Sequence, residues 1–578
     1  MNGYPDESMA AGAGRRTPGE KAAVRYREWI SCMRAAGIRT ESFAARLNRT
    51  RTYADRAYDE RLFQRILKWN GLLAEGDPAG RAMMPEYEVA VCEHSCIAVY
   101  HRPVSGHGGA LGVTRELPLP PSGYEDDRLI RRLARTAIRA VYALGLDIGL
   151  VRMVIAPGGQ LAVRSVDPFP LKPRGLIEKY AAALRIPAEG GADVPISEKA
   201  RDGAASAAQA IRGAPSLEDR RAFAPSNHVA PDGIPGADHP TALRRAVPEG
   251  EPEGDDPAAD ERAQVEASKS ALRKTPAVGA SETDEPAVPG RTAPIDRERP
   301  GLSSAERLRN ESILVGLDIE FVLTDAGGSL VPADRFLPRG GPAGHDGVVM
   351  QGRMVRALAE LRPSPSREPR RLYAELTRTM RLAARRIRDP ALAWRAGATP
   401  VPGVCTGGHI HFSGVALSFE LLRALDNYLA LPLALLEDER AIERRAKFGW
   451  LGHARMKPHG GFEYRTPPSW IVSPTVARGV LALAKLIAVH HDSLVRRPLD
   501  ELRMQKAYYA GEKRQLRRFL DLWRQDIAGT RLYSEYEEDI APFIRLIESG
   551  WSWNEEADLR AEWKFTDAAD FHALAVPR

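Results

Sequence analysis

The sequence predicts an α+β protein in two folded parts, on three observations. Runs of alternating apolar and polar residues, bounded by glycine and proline, give period-two strands joined by short turns. Longer stretches with apolar residues every three or four positions give amphipathic helices. Between the two parts, from about Pro187 to Glu306, the chain is rich in Pro, Gly, Ala and charge, with one Phe (Phe223) and no Trp or Tyr. Such a composition buries too little apolar surface to offset the entropy of ordering it. The expected organisation is an α+β domain over 1–186, a disordered linker over 187–306, a second domain over 307–530 and a helical, Trp-rich tail over 531–578.

The first part opens with helical periodicity over 22–35 and 61–73, followed by strand-like runs in 87–100 and a helix over 127–144. A strand pair over 150–155 and 160–166 is joined by the turn Ala156-Pro157-Gly158-Gly159. In the second part ILVGLDIEFVL (313–323) reads as a strand, followed by a Gly/Pro-rich loop to 347. MVRALAELR (354–362) is a strand that Pro363 ends, and 367–388 an amphipathic helix that Pro390 stops. GHIHFSG (408–414) and GFEYRT (461–466) are strands, 418–445 is a helix that Pro432 should kink, and 474–491 is a buried helix. From 501 the pattern is charged helix, ending near Trp551, Trp553 and Trp563. No fixed-period repeat is present, which excludes solenoids.

With 43% hydrophobic and 27% charged residues, the 578-residue chain is neither collagenous, coiled-coil nor wholly disordered. It has no run of about 18 apolar residues and no signal-like start, so the expectation is a cytoplasmic protein with no membrane partner. Four cysteines (Cys32, Cys92, Cys96, Cys405) cannot form a disulfide scaffold. The Cys92-Glu93-His94-Ser95-Cys96 cluster lacks the second ligand pair that structural zinc needs. The net charge of +6 comes from arginines spread along helices that also carry acids, which favours sites for small anions over nucleic acid.

Four strands carry polar groups at i and i+2 with apolar neighbours between: Asp318 and Glu320, Glu360 and Arg362, His409 and His411, Glu463 and Arg465. Period-two alternation puts each pair on one sheet face. Gathered carboxylates repel and raise one another's pKa unless a cation neutralises them. Hard oxygen donors favour Mg2+ or Mn2+, and histidine leans toward manganese. Arginines beside them suit phosphate or carboxylate, so the set describes a nucleoside triphosphate held by metals and a phosphoryl-transfer chemistry. The competing explanation, a solvated face, fits four such pairs poorly. On helix-surface grounds Arg444 and Arg445 read equally as a helix-end charge cluster, and His345, His453 and His459 as surface-loop histidines.

The ordered succession GLDIEFVL, GHDG with AELRPSP, GGHIHFSG, ERRAKFG and HGGFEYRTPPSW resembles the amidoligases, carboxylate–amine ligases (phage-like COOH-NH2 ligase type 2) of the glutamine synthetase superfamily, over roughly 312–525. The resemblance implies a glutamine synthetase-like antiparallel active-site sheet that binds ATP and divalent metals (Mg2+ or Mn2+). A substrate carboxylate would form an acyl phosphate that an amine converts to an amide. It further implies metal ligands at Asp318, Glu320, Glu360, His409, His411 and Glu463, a phosphate grip at Arg465, and nucleotide or substrate contacts at Arg362, Arg445 and Arg455. Asp346 of GHDG would receive the amine. The partners implied are a small-molecule or peptide carboxylate and an amine, with a homo-oligomer compatible.

In the first part AIRAVYALGLDIGLVRMVIAPGGQLAVRSVDPFP resembles pieces of ATP-grasp enzymes, whose metal-binding end usually reads Glu-x-Asn-Pro. Here that end is Ser165-Val166-Asp167-Pro168, Arg152 stands where an Asp is common, and 71–86 leaves little room for a phosphate loop. The resemblance therefore implies a degenerate scaffold or partner-binding module, with Asp147 and Asp167 as residual candidates. Two alternatives stand beside the ligase: an inactive adaptor that keeps the fold, and a metal-dependent hydrolase.

Overall fold

Two largely antiparallel sheets, one in each half of the sequence, organise the chain. The structure is a computed structural model, and it describes residues 16–36, 38, 48–75, 84–103, 114–119, 127–156, 158–172, 175–184, 301–350 and 352–565. The linker expected over 187–306 lies outside the described residues except at its end.

The first half contains α1 (Pro18–Ala35), α2 (Glu60–Trp69), β1 (Leu73–Ala74), β2 (Glu86–Cys92), β3 (Ser95–Arg102), β4 (Arg115–Leu117), α3 (Arg128–Ala143), β5 (Ile148–Ile155), β6 (Leu161–Asp167) and α4 (Leu176–Ala183). The strands run in the order β1-β6-β5-β2-β3-β4, antiparallel except for β1 beside β6. Alternate residues of β2 go to different cores. Val89 and Val91 meet Leu133, Ala137 and Val141 of α3, whereas Ala90 and Cys92 join Trp29 of α1 and Tyr180 of α4. The sheet is thus covered by helix on both faces. Asp127 starts α3 by accepting from the Ile130 amide at 2.8 Å.

The second half contains α5 (Ser304–Ser312), β7 (Leu314–Thr324), β8 (Leu330–Val331), β9 (Ala343–Met350), β10 (Arg353–Leu361), α6 (Pro369–Arg386), β11 (Ala393–Arg395), β12 (Gly408–Ser413), α7 (Phe419–Leu425), α8 (Leu431–Leu436), α9 (Ala441–Arg445), β13 (Ala454–Met456), β14 (Phe462–Tyr464), α10 (Pro474–His490), α11 (Leu502–Ala510), α12 (Leu520–Gly529) and α13 (Tyr533–Glu548). The sheet order is β13-β14-β12-β7-β10-β9, with β8 and β11 pairing β7. Ile319, Phe321, Ile410, Phe412, Tyr464 and Leu361 are buried on one side of it, where α6 packs. Behind α6 lies α10, buried along most of its length, with Lys485 inside the fold donating to the Ile313 carbonyl at 2.9 Å. Its Gly479 lets α13 approach so closely that an added Cβ would lie 2.4 Å from Phe543 Cβ.

Three features differ from the sequence expectation. A capping box of Ser303 and Glu306 starts α5 inside the range assigned to linker. The tail is not a separate unit: α13 packs on α10, and Trp553 and Trp563 are buried in the main core. The expected kink at Pro432 is a π-helical stretch, Asp426–Ala430, between α7 and α8. Pro432 has no N–H to give the Tyr428 carbonyl, which accepts instead from the Trp523 indole at 3.1 Å.

The two halves dock on each other. Arg423 of α7 reaches Asp147 at 3.0 Å and the Leu146 carbonyl at 2.7 Å, all buried. The Tyr142 hydroxyl donates to Asp426 at 2.7 Å, Arg139 to the Ala446 carbonyl at 2.7 Å, and the Tyr509 hydroxyl to Asn70 at 2.5 Å. The described parts of both halves therefore form one compact unit, and the second unit, 213–299, lies outside the described residues.

Candidate active site

Register decides which side chains meet. In the β7–β10 pair Glu320 lies opposite Glu360, in β7–β12 Asp318 lies opposite His409, and in β12–β14 His411 lies opposite Glu463. Arg455 of β13 lies opposite Glu463. Because cross-strand partners share a face, all six expected metal ligands fall on the side of the sheet turned away from α6.

Within that set the tightest group is Asp318, His411 and Glu463, whose donor atoms all lie within 4.8 Å of one another. Buried Asp318 Oδ1 and His411 Nε2 have no hydrogen-bond partner. Two carboxylates and one imidazole at this spacing fit a divalent cation of the Mg2+/Mn2+ kind. His409 Nδ1 stands 3.2 Å from Glu463 Oε1. Glu320 and Glu360 form a second acidic pair one step along the face, and one Glu320 oxygen already accepts from the Gly407 amide at 2.7 Å.

Charge is distributed unevenly. Burial pushes Glu320 up to about 7, with the Asp318 charge adding to it. Burial likewise raises Asp318, against the pull of Arg362. Burial would also raise Glu463, but Arg465, Arg455 and Lys457 overcome it and hold it at about 2. Arg455 and Lys457 each lie 2.7 Å from Glu463 Oε2, and Arg465 pairs with Oε1. Burial drives His409 well below its ordinary value and His411 down to about 4, so both imidazoles are neutral and able to donate a lone pair.

Residues 315–565 match the family model of the phage phiEco32-like COOH.NH2 ligase-type 2. The match lies in the C-terminal region and spans less than half of the chain. No curated protein matches the chain. Among solved structures it is similar to a bifunctional glutathione synthetase from Pasteurella multocida, at 13% identity over 47% of this chain and 54% of that one, TM-score 0.29. It is also similar to a glutamine synthase homologue (16%, 47% and 71%, TM-score 0.24) and to GmaS without ligand (13%, 46% and 74%, TM-score 0.25). The chain thus spans about half the length of the first of these.

In the matched region Arg362 and Arg465 stand where the sequence places them, Arg362 beside Glu360 and 3.5 Å from Asp318. Arg445 does not. It is buried, paired with Glu437 at 2.5 Å and set over the Tyr508 ring, so its charge is consumed inside the fold. Neighbouring Arg444 gives its guanidinium to the Thr466 carbonyl at 2.7 Å and so fixes the turn after β14. Asp346 is exposed on β9 and accepts from the adjacent Gly347 amide. His345 is buried, and His453 is no surface residue either: it stacks on Trp450 and lines a cavity. In the first half Asp147 is spent on Arg423, and Asp167 on Arg25 and the Phe169 amide.

That cavity, of about 520 Å3, lies between α3 and the β13–β14 end of the sheet. Arg132, Arg135 and Arg139 line one wall, and Arg455 and Arg465 the other. Sequence reasoning missed these α3 arginines because an arginine stripe on an amphipathic helix normally faces water. Their i, i+3, i+7 spacing was the available signal. Lys457 was also missed, since nothing local marks it as the third cation on Glu463.

Proposed function

We propose that the chain is an ATP-dependent carboxylate–amine ligase that works through an acyl phosphate. The observation that supports it most is the meeting, on one sheet face, of Asp318, Glu320, Glu360, His409, His411 and Glu463 with Arg362 and Arg465. A carboxylate is a poor acyl donor. Attack of its oxygen on the γ-phosphorus of ATP, with loss of ADP, gives an acyl phosphate; the amine then attacks the acyl carbon, and phosphate and a proton leave.

Asp318, His411 and Glu463, with Glu320 and Glu360 alongside, would hold divalent cations, which supply charge neutralisation for the phosphate oxygens when bound. Arg465 and Arg455 face the cavity from Glu463 and orient anionic groups beside the cations, while Arg362 screens Asp318 from Glu360. Neutral His409 keeps the inner end of the site free of added positive charge.

The test is ADP and phosphate release by the full chain on a panel of acids and amines with Mg2+ or Mn2+, comparing wild type with Glu360→Ala. Acid- and amine-dependent release that Glu360→Ala abolishes supports the assignment; equal turnover in both proteins defeats it.

A further inference from the structure

The cavity between the halves has a chemistry that the reaction alone does not require. Five arginines line it, and among the described residues no carboxylate does. Three of them come from α3, which lies outside the span matched to the ligase family. Arg132 and Arg135 are exposed at the outer end, and Arg139, stacked over Trp450 at 3.9 Å, lies deeper. At about 1.5 Å rise per residue the row is roughly 10 Å long. Arg465, which lines the same cavity, touches the metal-ligand cluster through Glu463. Leu72, Leu161, Leu417 and Leu451 give the same cavity an apolar lining.

A nucleotide's phosphates would carry their charge on cations over the carboxylate face. Among the described residues that line the cavity, the α3 wall offers no carboxylate with which to share a metal, so it suits anions that arrive without one. A guanidinium row with apolar flanks matches carboxylates spaced along a short chain. We infer that the acid substrate is multiply carboxylated, an acidic peptide in its simplest form, whose distal carboxylates lie along Arg132, Arg135 and Arg139 while one carboxylate reaches Arg465. This rests on the ligase reading and adds to it a substrate class and a role for the first half, that of specificity wall.

The test needs no turnover. Fluorescently labelled tetraglutamate and tetraglutamine are titrated with the full chain in EDTA, and anisotropy is read. The expectation is binding of tetraglutamate at least about tenfold tighter than tetraglutamine, a loss of at least that factor in Arg132→Glu/Arg135→Glu, and retention in Arg132→Lys/Arg135→Lys. Mn2+ binding by electron paramagnetic resonance should be unchanged in the charge-reversed variant, which shows that it is folded. Equal affinity for the two peptides, or no effect of charge reversal, overturns the inference. So does a charge-reversed protein that loses ATP binding in Mn2+ while keeping tetraglutamate binding, since the wall would then belong to the nucleotide. If tetraglutamate binding behaves as expected but no acid–amine pair releases ADP, the wall stands and the ligase reading falls. If ADP release proceeds with monocarboxylic acids and ignores charge reversal, the ligase stands and the wall falls.

Discussion

The two sheets set similar side chains into similar frames and leave them in opposite electrical states. In the first half the sheet's carboxylates are matched by basic side chains: Glu88 lies 2.7 Å from Arg152, Glu86 meets Arg102 and Arg164, Glu116 pairs with Lys179, and Glu75 accepts from Arg164 at 2.7 Å. On the face of the second sheet Asp318, Glu320 and Glu360 have one arginine, Arg362, reaching two of them, and atoms of Asp318 and His411 are left without hydrogen-bond partners, whereas Glu463 meets three cations. A buried carboxylate costs free energy unless it is paired. The first sheet has met that demand within the chain, so it needs no ion; the second has left it open, as a site that accepts an external cation must. Arg152, the cation set opposite Glu88, is the residue that marks the difference.

The comparison breaks most completely at the second sheet. Asp318→Asn with His411→Ala should lower Mn2+ affinity by more than the roughly 10- to 100-fold typical of losing an outer partner, measured by isothermal titration. Glu360→Ala should cut ADP release at least about 100-fold, assayed by coupled ADP detection. Arg152→Ala is the mirror case: it leaves Glu88 buried without its cation and should lower stability by about 1–3 kcal/mol in urea unfolding, with Mn2+ affinity unchanged. An equal fall in Mn2+ affinity would mean that the two sheets are not electrically separate.

The docking of the halves supplies the next size of effect. Arg423→Met leaves Asp147 buried without its ion pair, the Thr50 amide still donating to it at 3.3 Å, and breaking a buried pair by removing one partner costs about 3–5 kcal/mol, less the share that this amide offsets. Asp426 gives a pH test. Burial raises it to about 7, against the hydrogen bonds from Tyr142 and Tyr464. Unfolded, it ionises near 4, about its ordinary value. Between those values the folded protein holds the extra proton, so stability falls as pH rises from about 4 to 7 and stays lowered above. Asp426→Asn should remove that part of the slope, read from urea midpoints across the range. The smallest effect is expected at Arg378, whose pair with Glu375 is exposed on α6: Arg378→Ala should change stability by under about 0.5 kcal/mol.

Much of this was legible in the sequence because strands write their faces in every second letter. The pairs Asp318/Glu320, His409/His411 and Glu463/Arg465 could be assigned to one face before any coordinates, and the register brought them together as the pattern required. Helical arginines carry no such label. Arg445 and Arg455 look alike as letters, yet one is locked onto Glu437 inside the fold and the other lines a cavity. Nor could the docking of the halves be read, because Asp147 and Arg423 are 276 positions apart and each is unremarkable alone. Asp147 and Asp167, marked in the sequence as residual candidates, are each paired within the fold, Asp147 with Arg423 and Asp167 with Arg25.

The π-helical stretch is a junction as well as a bend. Asp426 binds Tyr142 of the first half and Tyr464 of β14, Asn427 accepts from the Leu499 amide at 2.9 Å, and Tyr428 donates to Asp526 at 2.7 Å. Three consecutive side chains thus grip three different parts of the molecule, which the wider turn permits. Deleting one residue there would tighten the coil to ordinary pitch and remove one of the three gripping side chains or shift it off its partner. The active sheet, the first half and the C-terminal helices would lose their common fastening together, so in a single-residue deletion scan of the chain this short stretch should tolerate shortening least.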